Sequence, residues 1–397
     1  MTVASVAVAT VLALAPLRRP GLPANLSFRL TLVLNEVPFI CFCWLLLCTA
    51  WAFSQRDVRS VVGWLTVGLA ALTAAGLAVI ARNGMRAGPV VERALADALG
   101  EDWRARIDPE AAARLRRRLP LGRILFGPFL RRRRDVVRRA NIGYGDAGRR
   151  NLLDVYHHRS RPSGGPVLIH LHGGRYDRGG KNSQSLPLIH RLASQGWVCV
   201  SANYRLRPDA RHPDHLIDLK KVIAWVREHG HEYGADPSKL FASGSSAGAH
   251  LAALAALTPN DPAFQPGFEE VDTTVTAAVC LNGYYGNYYD QGPDSSPLAY
   301  VAADAPPFFI AHGDHDTVVP VDIARRFADA LREVSANPVV YAELPGAQHA
   351  FDLFHSFRFE RVVDAIESFA ARIDAREKAA GPGDRESPQS DRLCTQP

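Results

Sequence analysis

Residues Gly244-Ser245-Ser246-Ala247-Gly248 read G-x-S-x-G, between a short apolar run at 239–243 and an alanine-rich run at 249–257. In a strand–turn–helix context this spacing makes Ser246 a nucleophile candidate. The turn is so tight that only small residues can flank the serine, and it lifts the hydroxyl out of the sheet. A serine hydroxyl attacks only when a base takes its proton, and the base needs a carboxylate to orient it. Both partners lie downstream. An apolar strand at 306–311 ends in the polar loop His312-Gly313-Asp314-His315-Asp316. A second strand, at 339–344, runs into Pro345-Gly346-Ala347-Gln348-His349. Asp316 and His349 complete the order serine, acid, histidine, each just past a strand. Asp314 is the rival acid. His312 and His315 precede the acid and are weaker candidates for the base.

A tetrahedral intermediate also needs donors for its oxyanion. His172-Gly173-Gly174-Arg175 follows the apolar strand 166–171. The N–H groups of Gly173 and Gly174 are candidates, with that of Ala247 behind the nucleophile. Together these motifs resemble the hormone-sensitive-lipase-like carboxylesterases of the α/β-hydrolase superfamily, closest to actinobacterial esterase/lipases with a hydrophobic N-terminal extension. The resemblance rests on the three motifs above, on Ser201-Ala202-Asn203-Tyr204-Arg205-Leu206 and on Gln348-His349, and covers about residues 140–373. It implies the α/β-hydrolase fold, a mostly parallel sheet with helices on both faces. It also implies a serine esterase or lipase working through an acyl-enzyme on a small-molecule or lipid ester, with no cofactor. Matching the family's H-G-x-x-D pattern assigns the acid to Asp316. The family usually reads HGGG, and Arg175 replaces the third glycine. Its N–H survives the change, but its φ is restricted. An amidase or formamidase with the same three residues, and a catalytically weak binding protein on the same fold, are the alternative readings.

The elements that must position these residues follow from periodicity. Apolar strands are predicted at 152–156, 167–171, 197–202, 240–243, 275–281, 308–311 and 339–344, with helices between them, among them 213–229 and 321–334, and a closing helix at 360–376. Such alternation argues a parallel sheet covered on both faces. The loop Gly283-Tyr284-Tyr285-Gly286-Asn287-Tyr288-Tyr289 follows a strand end, where ligand crevices form. Its tyrosines either line an acyl or alcohol pocket or pack the loop. Four regions result: a hydrophobic membrane region at 1–88, an arginine-rich connector or cap at 89–140, the catalytic domain at 141–376 and a disordered tail at 377–397. Helices at 91–99 and 109–119 are expected in the connector, part of it near the substrate entrance.

The N-terminal region holds 21 uncharged residues at 61–81, long enough to cross a bilayer. Residues 30–53 form a second candidate span, interrupted by Glu36 and Pro38, and 3–17 a shorter third. No Lys or Arg precedes the first run, which disfavours a cleaved signal. The short turn 54–60 makes the two longer spans a hairpin. That turn carries only Arg56 and Arg59, whereas Arg18, Arg19, Arg29, Arg82 and Arg86 lie on the other side, so the catalytic domain is expected in the cytoplasm, with the cell envelope as the alternative location. From Arg82 to Arg139 sixteen arginines face seven acidic residues. With hydrophobic spans beside it, this stretch suits anionic lipid head groups as partners rather than nucleic acid. Cys199 and Cys280 are expected in core strands, and no metal motif stands out. His212 and His215 are expected at the surface.

Overall fold

The computed structural model describes residues 2–380 apart from 117 and 290, so the tail expected to be disordered lies almost wholly outside the described residues. Four apolar helices come first: α1 (Val3–Leu14), α2 (Leu22–Glu36), α3 (Pro38–Ser54) and α4 (Val61–Met85). Next are α5 (Ala87–Leu99), α6 (Pro109–Arg114) and α7 (Leu121–Phe126). Strands and helices then alternate: β1 (Val136–Gly143), β2 (Leu152–His158), β3 (Gly165–Leu171), α8 (Leu186–Ser194), β4 (Val198–Ala202), α9 (Asp214–His229), β5 (Ala235–Ser245), α10 (Ala247–Leu257), β6 (Ala277–Leu281), β7 (Phe308–Gly313), α11 (Val321–Val334), β8 (Val339–Leu344) and α12 (Phe357–Ala380).

The strands form one sheet in the order β1-β2-β4-β3-β5-β6-β7-β8. β2 is antiparallel to both of its neighbours, and the other neighbouring pairs are parallel. Side chains alternate along each strand. Leu168, Cys199, Phe241 and Phe309 point to the face covered by α5, α8 and α12. Their neighbours Val167, Ile169, Val198, Val200 and Leu240 point to the opposite face, under α9 and α10. Phe308 and Ile310 meet α10 and α11 there. Cys199 and Cys280 are buried in the strands, as expected.

Three elements differ from the sequence reading. β1 was expected to be connector. It is a mostly exposed edge strand with a register shift between Arg139 and Ile142, so it lacks the apolar alternation that marks a strand. It is held by Arg138, which donates to the buried carboxylate of Asp154 at 2.6 Å and 2.8 Å. The described residues of segment 89–140 also line no part of the cavity over Ser246. Val91, Ala94, Leu95 and Leu99 of α5 form an apolar stripe that joins Phe309, Ala342 and α12 in the core. Arg116 pairs with Glu360 and Asp364 of α12, so one arginine of the basic stretch serves internal structure. The third difference is His215, which is buried against Tyr176 and Tyr204 rather than lying at the surface.

The N-terminal helices pack on one another through Val6, Ala13, Leu34, Leu45, Leu77 and Ile80. Candidate span 30–53 is not one helix. α2 and α3 meet at 82° across Val37. Pro38 lacks an N–H and opens α3, where a missing donor costs nothing. Just before the break, Glu36 turns inward and takes a hydrogen bond from Ser356 Oγ at 2.7 Å and an ion pair from Arg358. Among the described residues, the run Val61–Leu99, which holds α4 and α5, is the one stretch without a sharp bend that is long and apolar enough to cross a membrane. Only 28% of its most apolar window is buried, unlike a helix at the centre of a globular core.

Glu36 and Arg358 are both almost fully buried, so removing one leaves the other charge unpaired. Arg358→Ala is expected to cost about 3–5 kcal/mol and to lower the unfolding temperature of the full chain in detergent. The double change Glu36→Leu with Arg358→Leu should recover most of that loss. An unshifted melting curve for Arg358→Ala would show that the pair does not tie the two regions together.

Candidate active site

Ser246 is the single residue between β5 and α10. Its φ of 55° and ψ of −117° lie far outside the usual regions for a residue with a side chain. Such backbone costs about 1–3 kcal/mol and persists only where its surroundings impose it. Here they do. The Ser246 N–H donates to Leu281 O at 2.8 Å, and Ser246 O accepts from the N–H groups of Ala249 and His250. The flanking glycines are required by contact. A Cβ on Gly244 would lie 2.1 Å from the Gly248 carbonyl carbon, and one on Gly248 would lie 2.1 Å from Leu171 O.

The loop after β3 lies against this turn. A Cβ on Gly173 would sit 2.8 Å from Ser246 Cβ. His172 holds the loop: its Nδ1 contacts Gly173 O at 2.7 Å, and its ring stacks on Tyr204 at 4.5 Å. Burial pushes His172 down to about pKa 4, so it stays neutral and structural. The Gly173 N–H donates to the side-chain oxygen of Gln184, which occupies one of the three expected oxyanion donors. Arg175 adopts the left-handed region at φ 56°, a conformation that a non-glycine residue disfavours. Its Nε donates to Tyr289 OH at 3.2 Å.

The structure brings Asp316, rather than Asp314, to His349. His349 Nδ1–H donates to Asp316 Oδ2 at 2.7 Å. Asp316 Oδ1 accepts from the N–H groups of Val318 and Val319, both at 2.8 Å. Asp314 instead accepts from the Gly346 N–H at 2.6 Å, bracing the histidine loop. His312 is buried behind Asp316, its Nε2 3.2 Å from Oδ2 and 2.9 Å from Val319 O. His315 contacts Ala13 O at 3.1 Å. Neither is placed as a base. Burial alone would raise the Asp316 pKa, but His349 and His312 outweigh it and hold the carboxyl well below the usual range. Burial likewise pushes His349 down, and the charge and hydrogen bond of Asp316, with Asp352 behind, reverse this and leave it raised. Ser246 Oγ makes no hydrogen bond to a described residue, His349 included; such contacts commonly tighten only with substrate bound.

A cavity of about 750 Å³ opens over Ser246 and Ala247. Tyr284, Tyr288 and Tyr289 line it, while Tyr285 stacks on Phe327 in the core, so the tyrosine loop divides between the two roles considered. The other wall was not foreseen: Arg18, Pro20, Gly21, Ala24 and Asn25 close the cavity from the N-terminal region. The Phe28 ring meets His349 edge-on at 5.8 Å. Thr317 Oγ1, beside the acid, donates to Ala24 O at 3.0 Å. The cap expected from segment 89–140 is therefore supplied by residues 18–28. One signal in the sequence marks it. Ser27, Thr31 and Asn35 recur every fourth residue in an apolar helix, a polar stripe that needs a protein partner. A second polar group went unnoticed: Asp352 Oδ2 accepts from Ser245 Oγ at 2.6 Å and Ser185 Oγ at 2.5 Å, directly beneath the nucleophile turn.

A serine on a strained strand-to-helix turn, with an acid and a histidine after β7 and β8 of this sheet, defines an α/β-hydrolase. A family model described as BD-FAE matches residues 153–288 and 269–331. LipM of Mycobacterium tuberculosis, described as a probable carboxylic ester hydrolase, is 41% identical over 94% of this chain and 92% of its own length. Esterase LipQ of the same organism is 40% identical over 81% of this chain and 86% of its own. Among solved structures, apo Thermogutta terrifontis esterase 2 is 26% identical, with a TM-score of 0.50 over 59% of this chain and 92% of that one. The chain belongs to the hormone-sensitive-lipase-like esterases of the α/β-hydrolase superfamily and is a carboxylic ester hydrolase. This sets aside the amidase and binding-protein readings.

A base must be neutral to accept a proton, so a raised His349 pKa moves the acid limb of kcat/KM upward. Its midpoint is expected above 6.5, the ordinary histidine value. Asp316→Asn removes the charge that raises it, so the limb of the residual activity should move to lower pH. A pH profile of both proteins checks this, and an unmoved limb would separate Asp316 from the titrating group.

Proposed function

We propose that ester hydrolysis proceeds through Ser246, His349 and Asp316. Ser246 Oγ attacks the ester carbonyl while His349 Nε2 takes its proton. The same imidazolium then protonates the departing alcohol. Asp316 fixes the tautomer, because its Oδ2 holds the Nδ1 proton and leaves Nε2 free to accept. Water repeats the sequence on the acyl-enzyme. The single observation carrying this reading is the 2.7 Å bond from His349 to Asp316, in a sheet whose β5–α10 turn holds Ser246 at φ 55°. The oxyanion falls to the N–H groups of Gly174 and Ala247, with that of Arg175 as a further donor. Gly173 shapes the loop, since Gln184 takes its N–H. No cofactor enters the chemistry.

Ser246→Ala should abolish labelling by a fluorophosphonate probe and lower kcat by about three orders of magnitude or more. His349→Ala should be about as severe, and Asp314→Asn mild. Wild-type turnover by Ser246→Ala would remove Ser246 as the nucleophile.

The finer reading of location is a membrane hairpin. α3 and α4 carry Leu46, Leu47, Trp51, Val61, Trp64 and Leu72 outward, with no aqueous partner suited to them. The loop between them carries Arg56 and Arg59, and the larger arginine content lies on the domain side, which supports a cytoplasmic catalytic domain. A C-terminal reporter active only outside the cytoplasm should stay silent in the full chain. A strong signal would reverse the orientation.

A further inference from the structure

α2 is amphipathic the wrong way round for a helix in water. Ser27, Thr31, Asn35 and Glu36 are buried against the protein, while Leu22, Leu26, Leu30 and Val33 are exposed. The exposed positions recur at the helical period, so they form one outward apolar stripe. In water this arrangement is unfavourable on both faces. It becomes favourable when the outer face meets hydrocarbon and the inner face is held by the protein, as Glu36 is by Ser356 and Arg358. Three further features name that hydrocarbon as lipid. The stripe leads at the 82° bend into α3, whose outer surface is equally apolar. Arg18, Arg19 and Arg29 are exposed around the helix, as anionic head groups require. A second apolar knuckle, Phe126, Phe129 and Leu130, is exposed immediately before Arg131-Arg132-Arg133-Arg134. Both surfaces are fixed to the same segment. Phe129 packs edge-on to Phe354 at 5.2 Å, Pro128 O accepts from the His355 N–H at 3.0 Å, and Ser356 bonds Glu36 of α2.

We propose that α2 lies in the plane of the membrane surface, its leucine stripe at the acyl boundary and its N-terminal turn roofing the active-site cavity. Residues Gly21, Ala24 and Asn25, at the start of this helix, line the cavity over Ser246. The mouth of the cavity therefore opens at the lipid surface, and the substrate class is esters dissolved in the bilayer rather than in water. The substrate half of this proposal rests on Ser246 being the nucleophile; the placement of α2 does not.

The test uses the full chain in vesicles of phosphatidylglycerol and phosphatidylcholine. Leu26 and Leu30 are outside the cavity wall, so the double change Leu26→Glu with Leu30→Glu should leave turnover of dissolved p-nitrophenyl acetate within about twofold. Turnover of p-nitrophenyl palmitate held in the same vesicles should fall about tenfold or more, because two buried charges oppose seating of the helix. An unchanged ratio of the two rates, whether both fall or neither does, overturns the proposal. Placement is read separately from chemistry. The indole added by Leu30→Trp should be quenched by lipids brominated in the acyl chain and shielded from iodide. Quenching by iodide means a water-facing helix, and shielding from both quenchers means a protein partner; either result overturns the proposal. Loss of the esterase reading would appear instead as fluorophosphonate labelling that survives Ser246→Ala, with the quenching result unaffected.

Discussion

The site depends on one close approach of backbones. The end of β3, the glycine loop after it and the turn from β5 to α10 pass so near one another that a single added carbon at Gly248 would strike Leu171 O at 2.1 Å. That contact fixes several things together. It holds Ser246 at a φ that its own side chain disfavours. It sets the loop carrying Gly174 beside the serine hydroxyl. It also starts α10 directly at the serine, whose carbonyl takes the N–H groups of Ala249 and His250. Dense packing makes such an arrangement hard to deform by small amounts. The strain at Ser246 is offset by the buried sheet around it rather than by any local hydrogen bond alone.

Electrostatics extend the same logic outward. Two carboxylates flank the histidine loop. Asp316 is saturated by two backbone N–H groups and His349, with His312 behind it. Asp352, three residues past His349, accepts from Ser245 and Ser185 and leaves its second oxygen buried without a described partner. The two acids therefore differ in kind. Asp316 faces the imidazole directly, 2.7 Å from its Nδ1. Asp352 anchors the underside of the nucleophile turn and reaches His349 only through its field.

Much of this was legible in the sequence, for a definite reason. Strands buried on both faces must be apolar almost throughout, so β3 to β8 announce themselves, and a turn crowded on two sides must be Gly-x-Ser-x-Gly. Asp316 and His349 follow because their loops leave adjacent strands at the same end of the sheet. What was hidden depended on partners distant in the chain. β1 has no apolar alternation because its outer surface faces solvent, and only its pairing with β2 makes it a strand. α5 carries an amphipathic stripe that fits a lipid surface and a sheet equally well, and its contact with β8 decides between them. In the glycine loop after β3, no spacing reveals that Gln184 takes the Gly173 N–H. The roof over the cavity was misplaced for a similar reason. The polar stripe of α2 was overshadowed by the hydrophobicity around it.

The tie between the chain's two ends has a consequence in time. Thr317 bonds Ala24 across 293 residues, and Ser356 bonds Glu36 across 320. During synthesis the helices that roof the cavity leave the ribosome well before the loops they cover. Contacts of such long separation are slow to form and come after local structure. The apolar helices are thus committed to their surroundings well before the acid and histidine loops exist, and the finished pocket is assembled against a roof already in position.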